Sequence, residues 1–226
     1  MGIHDGHRQR LVNRFDTFGL DTLEEHEVLE LFLFFVISRK DTNAIAHELI
    51  KRFDSLAGVM DASADELKEI SGIGNKAALL LKLIKPLCRR YLISNTKEIK
   101  FLQTTAACAD YLRPFFFGMK EEHVFLTCLD AKCRPICCRE ISAGNAVSSD
   151  LPIQKAAKLA LESHAISVIL SHNHPCGDVE ASKEDYDATI LFRDALQSVG
   201  VLLADHVIVG TDGYFSMRES GFLNIS

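Results

Sequence analysis

Ala165-Ile166-Ser167-Val168-Ile169-Leu170-Ser171-His172-Asn173-His174-Pro175 is the stretch on which the reading of this 226-residue chain turns. Its first half is rich enough in β-branched and aliphatic residues to be a buried strand. Residues two apart on a strand face the same way, so His172 and His174 present their imidazoles together. Pro175 and Gly177 end the strand, and a helical pattern carried by Ile190, Leu191, Ala195 and Leu196 begins near Ser182. Asp185 then falls in the first turn of that helix, from which it can reach back to the imidazoles. Two histidines and one carboxylate, with a fourth position left to water, form the composition of a catalytic zinc site, whereas structural sites close all four positions with protein. Ser182-x-x-Asp185 ahead of an apolar run also has the form of a capping box, with Ser182 at the N-cap. The two roles are compatible.

Outward from this stretch, the second half of the chain alternates helix and strand signals. Helices are expected over 104–115, 152–163 and 182–198, and strands over 124–129, 135–141, 166–170, 202–209 and about 214–217. Cys133-x3-Cys137-Cys138 lies where a hairpin turning at Asp130-Ala131-Lys132 is expected, so these are read as strand cysteines rather than ligands. Seven cysteines, an odd number, with no secretory signal at the start, suit reduced thiols in a cytoplasmic protein. Cys176 is read as an ordinary loop thiol. His206, beside Asp205 in strand 202–209, is read as a paired polar strand residue, with carboxylate–histidine support of a metal ligand as the alternative. The H-x-E and P-C-x-x-C pair of zinc deaminases is absent.

The character changes near residue 95. Residues 1–95 are helical in pattern, with apolar spacing of three and four over 22–37, 41–53, 63–70 and 75–91. The polar segment 92–100 is the expected linker. Gly72-Ile73-Gly74, with Lys76 just beyond, forms a turn at a helix start, where backbone N–H groups can face a phosphate as in helix-hairpin-helix elements. A tight turn that only packs, or binds protein, is the competing account. Residues 1–95 carry 13 Lys and Arg against 14 Asp and Glu, without the basic excess of a strong DNA binder. The longest apolar run, 31–37, is too short to span a bilayer, so no membrane partner is expected.

His172-x-His174, then Ser182 and Asp185, resembles the JAMM motif of MPN+ (JAB) metallopeptidases. The wider run HNHPCGDVEASKEDYDAT (172–189), with LLADHVIVG (202–210), DGYFSMRESG (212–221), GHRQRLVNRF (6–15) and SGIGNKAALLLKL (71–83), resembles the RadC family. Ala181 and Cys176 depart from that pattern, where proline and serine are usual; neither is a ligand. The resemblance implies a mixed α+β and α/β protein: a small all-α domain with a helix-hairpin-helix-like turn over 1–95, then a cytidine-deaminase-like MPN α/β domain over 101–226. It implies zinc on His172, His174 and Asp185. Its general base is a glutamate at the start of the domain's first strand, a position that Glu122 fits; Glu121 and Glu140 compete. Ser182 would hydrogen-bond the developing oxyanion. The implied activity is a zinc-dependent hydrolase acting on a peptide or isopeptide amide. The family label associates these proteins with DNA repair, so a non-catalytic DNA-associated protein is the alternative. A metal-dependent nuclease would bring more carboxylates and often a second ion about 3.5 to 4 Å away. One carboxylate at ligand spacing disfavours it.

Overall fold

The computed structural model describes residues 3–38, 40–144, 153–175, 177–211 and 213–223, and the chain divides into two compact units, Met1–Cys88 and Arg89–Ser226. Among the described residues, no helix is long and apolar enough to cross a membrane.

The first unit is helical: α1 (Ile3–Phe18), α2 (Glu25–Phe34), α3 (Thr42–Phe53), α4 (Leu56–Asp61), α5 (Ala64–Lys68) and most of α6 (Asn75–Asn95). Helix starts are set by side chains that take up otherwise unpaired backbone N–H groups. Asp41 caps α3, Ser55 caps α4, and Ser63 with Glu66 forms a capping box at α5. Leu29, Leu33, Leu49, Val59, Leu67 and Leu81 meet in one apolar cluster. Two of these helices give no periodic signal in the sequence. In α1 most described side chains are polar and exposed, and α4 has six residues, too few to show a period. The expected linker 92–100 continues α6 to Asn95 and then forms a 3-10 turn, Thr96–Glu98.

Gly72 holds φ +103, and a Cβ there would lie 2.6 Å from Ile45 Cδ1. The positive φ favours glycine, and a larger residue would also press on Ile45 of α3. At Gly74 a Cβ would meet nothing within 4 Å.

The second unit carries α7 (Thr105–Phe116), β1 (His123–Leu129), β2 (Pro135–Ala143), α8 (Ile153–Glu162), β3 (Ser167–Asn173), α9 (Lys183–Ser198), β4 (Leu202–Val209) and β5 (Tyr214–Ser216). Its strands form one sheet in the order β2-β1-β3-β4-β5, parallel only between β3 and β4, which α9 connects. The expected hairpin is present, with Asp130 accepting from the backbone N–H of Lys132 and Arg134. Cys133 stands in its turn and Cys137 and Cys138 in β2, all free thiols, as are the other described cysteines; Cys176 lies outside the described residues.

Alternation along the strands gives the sheet two apolar faces. Val124, Leu126, Val168, Leu170 and Ile208 pack with Ala156 and Ala160 of α8 and Phe192 and Leu196 of α9. Phe125, Ile169, Val207 and Val209 pack with Leu112, Phe115 and Phe116 of α7. This parity positions the site. His172 follows Leu170 by two and so faces α9, and His206 precedes Ile208 by two on the same face.

Candidate metal centre

His172 is the penultimate residue of β3, His174 follows just past its end, and Asp185 stands at the third position of α9. His172 and Asp185 are buried. Their ligand atoms and that of His174 all lie within 4.8 Å of one another, the one such group among the described residues. His172 Nε2 is 3.0 Å from His174 Nε2 and 3.1 Å from Asp185 Oδ1, and His174 Nε2 is 3.6 Å from Asp185 Oδ2.

The surrounding hydrogen bonds fix where the imidazole protons are. The Thr189 hydroxyl lies 2.6 Å from the Asp185 carbonyl, which only accepts, so Thr189 spends its proton there and accepts from His206 Nδ1–H at 2.6 Å. Burial, with His172 adding to it, pushes the pKa of His206 well below the ordinary imidazole value and keeps the ring neutral. Its Nε2 is then an acceptor and takes the Nδ1–H of His172 at 2.8 Å. His174 Nδ1 faces the Asp178 carbonyl at 2.8 Å and must donate to it. Both Nε2 atoms are thus left with lone pairs pointing at each other and at a carboxylate, an arrangement that only a cation or a shared proton makes favourable.

This donor set fits zinc. A tetrahedral ion bound at about 2.1 Å puts its ligand atoms about 3.4 Å apart; the two imidazole nitrogens lie 3.0 Å apart, with Asp185 Oδ1 3.1 Å from one and Asp185 Oδ2 3.6 Å from the other. Without an ion, the competing occupant is a proton. The hydrogen bond to Asp185 raises the pKa of His174 against the effect of burial, with the Asp178 carbonyl adding to the rise. Burial opposes ionisation of Asp185, yet hydrogen bonds to His172, His174 and Ser182 hold its carboxyl well below the usual carboxylate range.

Ser182 is the N-cap of α9, and the capping box is complete. Its Oγ donates to Asp185 Oδ2 at 2.7 Å and accepts from the Asp185 N–H at 3.1 Å, while its backbone N–H donates to the same Oδ2 at 2.8 Å. The cap therefore aims the carboxylate as well as starting the helix.

Of the three glutamates, Glu122 is the one turned to the cluster. Val124 pairs with His172 across the β1–β3 ladder, so Glu122, two residues earlier, comes level with His174. Asn173, pointing away from its two histidine neighbours, grips the chain on both sides of Glu122. It accepts from the His123 N–H at 2.8 Å and donates to the Glu121 carbonyl at 3.0 Å. Glu122 Oε1 is buried without a hydrogen-bond partner. Burial raises its pKa, with Asp185 adding to the rise and His172 and His174 opposing it. Glu140 is instead paired with His123 Nδ1 at 2.9 Å, and Glu121 is exposed.

Three contributors escape sequence reasoning: Thr189, Asn173 and the Asp178 carbonyl. His206 supports a ligand, but not with Asp205. Successive strand residues face opposite ways, and the Asp205 carboxylate accepts from Ser216 Oγ at 2.7 Å and Arg218 N–H at 3.1 Å. Gly72, Gly74 and Lys76 belong to the first unit and take no part in this centre.

The second unit is a mixed sheet with this cluster at the end of a central strand, and a helical unit precedes it in the sequence. Residues 102–222 match the family model described as the RadC-like JAB domain. The chain is also 32% identical over 227 residues to UPF0758 protein FN0909 of Fusobacterium nucleatum subsp. nucleatum, across 97% of this chain and 98% of that protein. The chain belongs to the RadC family.

Proposed function

We propose that the second unit is a JAMM-type zinc hydrolase acting on a peptide or isopeptide amide. The observation that carries this is the pairing of two converging Nε2 lone pairs and a carboxylate with a buried, unpartnered carboxylate oxygen on Glu122. His172, His174 and Asp185 would hold the ion. Bound there, zinc acidifies water toward a pKa of about 7 and polarises a carbonyl.

Glu122 supplies what the ligands do not. A carboxylate whose pKa burial raises above the ordinary value can take a proton from water and return it to the leaving amine. Its Oε1 has no other bond to break first. Ser182 serves the site through Asp185. To reach a developing oxyanion its hydroxyl turns from Oδ2, which the Ser182 backbone N–H continues to hold. A two-metal nuclease is less well matched, because among the described residues the histidine–aspartate group is the one metal-holding cluster.

The test compares wild type with Glu122→Gln at equal zinc content on a peptide and isopeptide library. Glu122→Gln is expected to fold and bind zinc while losing on the order of a hundredfold or more in turnover. Equal turnover in the two proteins moves the base elsewhere. Absence of hydrolysis by the zinc-loaded wild type favours the non-catalytic, DNA-associated alternative.

A further inference from the structure

The polar segment expected to serve only as a linker forms one wall of a cavity of about 630 Å³, well within the roughly 300 to 1,000 Å³ typical of ligand pockets. The start of β2 forms another, and Tyr111 of α7 lines it as well. The first two walls are tied together, because the Leu102 N–H donates to the Cys133 carbonyl at 2.8 Å. None of His172, His174, Asp185, Ser182 and Glu122 lines this cavity, so it forms no part of the metal centre. Three cations do line it, Lys97, Lys100 and Arg134, in a chain whose net charge is −6. All three are exposed, and among the described residues none is paired with a carboxylate. Asp130 feels the charge of Arg134, but its Oδ1 is taken by the backbone N–H groups of Lys132 and Arg134. The Arg134 guanidinium stands over the Phe101 ring, 5.3 Å from its centroid. A guanidinium braced on a ring, at a pinned turn, loses little freedom when it grips an anion. Beside these charges the lining is apolar, and Phe101 and Ile136 are large side chains left exposed there.

We propose that this cavity binds a nucleoside diphosphate, with its phosphates on Lys97, Lys100 and Arg134 and its base on the apolar wall of Ile99, Phe101 and Ile136. Three cations around one cavity match a ligand that concentrates several negative charges in one place. A single phosphomonoester already carries about −1.5 to −2 at neutral pH, and a diphosphate carries more. An internal phosphate of a nucleic-acid strand carries one charge, and the next lies a nucleotide away. The carboxylates of an acidic peptide are likewise single charges spaced along a chain. Arg134 adds a planar fork that takes two phosphate oxygens at once. The apolar wall beside the cations suits a flat, weakly polar body attached to those phosphates, which inorganic anions lack. The site is independent of the hydrolase reading, since it shares no residue with the metal centre.

Calorimetry on the full-length protein at low salt tests this, with ADP, adenosine, pyrophosphate and octathymidylate as probes and zinc content checked after each titration. ADP is expected to bind, and adenosine and pyrophosphate each to bind about tenfold more weakly or worse, because each makes only part of the contacts. Arg134→Gln, and separately the double variant Lys97→Gln with Lys100→Gln, are expected to weaken ADP about tenfold. The two lysines are exposed and cap no element, so their replacement leaves the fold intact. Ile136→Ala is expected to weaken ADP while leaving pyrophosphate as it was. Pyrophosphate binding as tightly as ADP, octathymidylate binding more tightly than ADP, ADP indifferent to both cation variants, or no ADP binding overturns the proposal.

Discussion

Thr189 is two positions removed from any metal, yet it sets the proton that matters. Its hydroxyl accepts from His206 Nδ1–H, and that bond obliges His206 to accept from His172. Thr189→Val removes the acceptor and lets His206 change tautomer, so that His172 no longer has to keep Nε2 free. Zinc affinity is expected to fall about 10- to 100-fold with circular dichroism unchanged, measured by competition with a chelating dye. The raised pKa of His174 sets a second expectation. In the ion-free protein this imidazole keeps its proton above its ordinary value of 6.5, and zinc must displace it. Zinc affinity should therefore rise with pH through that raised value and level off above it; an affinity flat in pH from 6 to 8 would contradict the assignment. At this scale the sequence displays the ligands, because strand parity and the first helical turn are local rules. It hides Thr189 and His206, because their contact depends on how β4 and α9 lie against β3. Leu170 pairs with His206 across the β3–β4 ladder, a register no local pattern declares.

The ligand loop depends on a neighbouring turn. A Cβ at Gly210 would lie 2.6 Å from the Gly177 carbonyl and 2.5 Å from Val179 Cγ1, inside the segment that carries His174 and Asp178. The His174 N–H donates to the Val209 carbonyl at 3.1 Å, so the two segments are tied as well as packed. Gly210→Ala is expected to destabilise the protein by about 1 to 3 kcal/mol and to weaken zinc binding by more than thermal stability alone accounts for. Melting and dye competition on the same sample check this. Among whole elements, β1 to β5, α2, α3 and α5 to α9 are legible from apolar period and cap residues. Helix α1 is not, since among its described positions only Leu11 is buried. Nor is the reason for Gly72, whose contact is with Ile45 in α3, far away in sequence.

Over the molecule, the candidate centre lies wholly within Arg89–Ser226 and the glycine turn within Met1–Cys88. A fragment beginning at Arg89 is expected to bind zinc with the stoichiometry of the intact chain. It should also be more stable than one beginning at Phe101, because Arg89 Nε donates to the Phe115 carbonyl at 2.8 Å and Thr96 is buried. The DNA contact expected of Gly72, Gly74 and Lys76 is best tested at Gly74 and Lys76, since replacing Gly72 would disturb the packing on Ile45. The intact chain, and not the Arg89 fragment, is then expected to retard duplex or single-stranded DNA at low salt, with Gly74→Val and Lys76→Glu reducing the shift. No shift with the intact chain would remove nucleic acid from the partners of this unit.

The capping box at α9 bears on how activity should be diagnosed among relatives. Ser182 and Asp185 start a helix whether or not an ion is bound, so a descendant that has given up catalysis still has a folding reason to retain both. Their presence is a poor marker of a working enzyme. Glu122 caps nothing, and its buried Oε1 satisfies no neighbour, a placement that costs about 1 to 3 kcal/mol unless chemistry needs it. Replacement at that position, rather than at the motif aspartate, is where an inactive branch would first show itself.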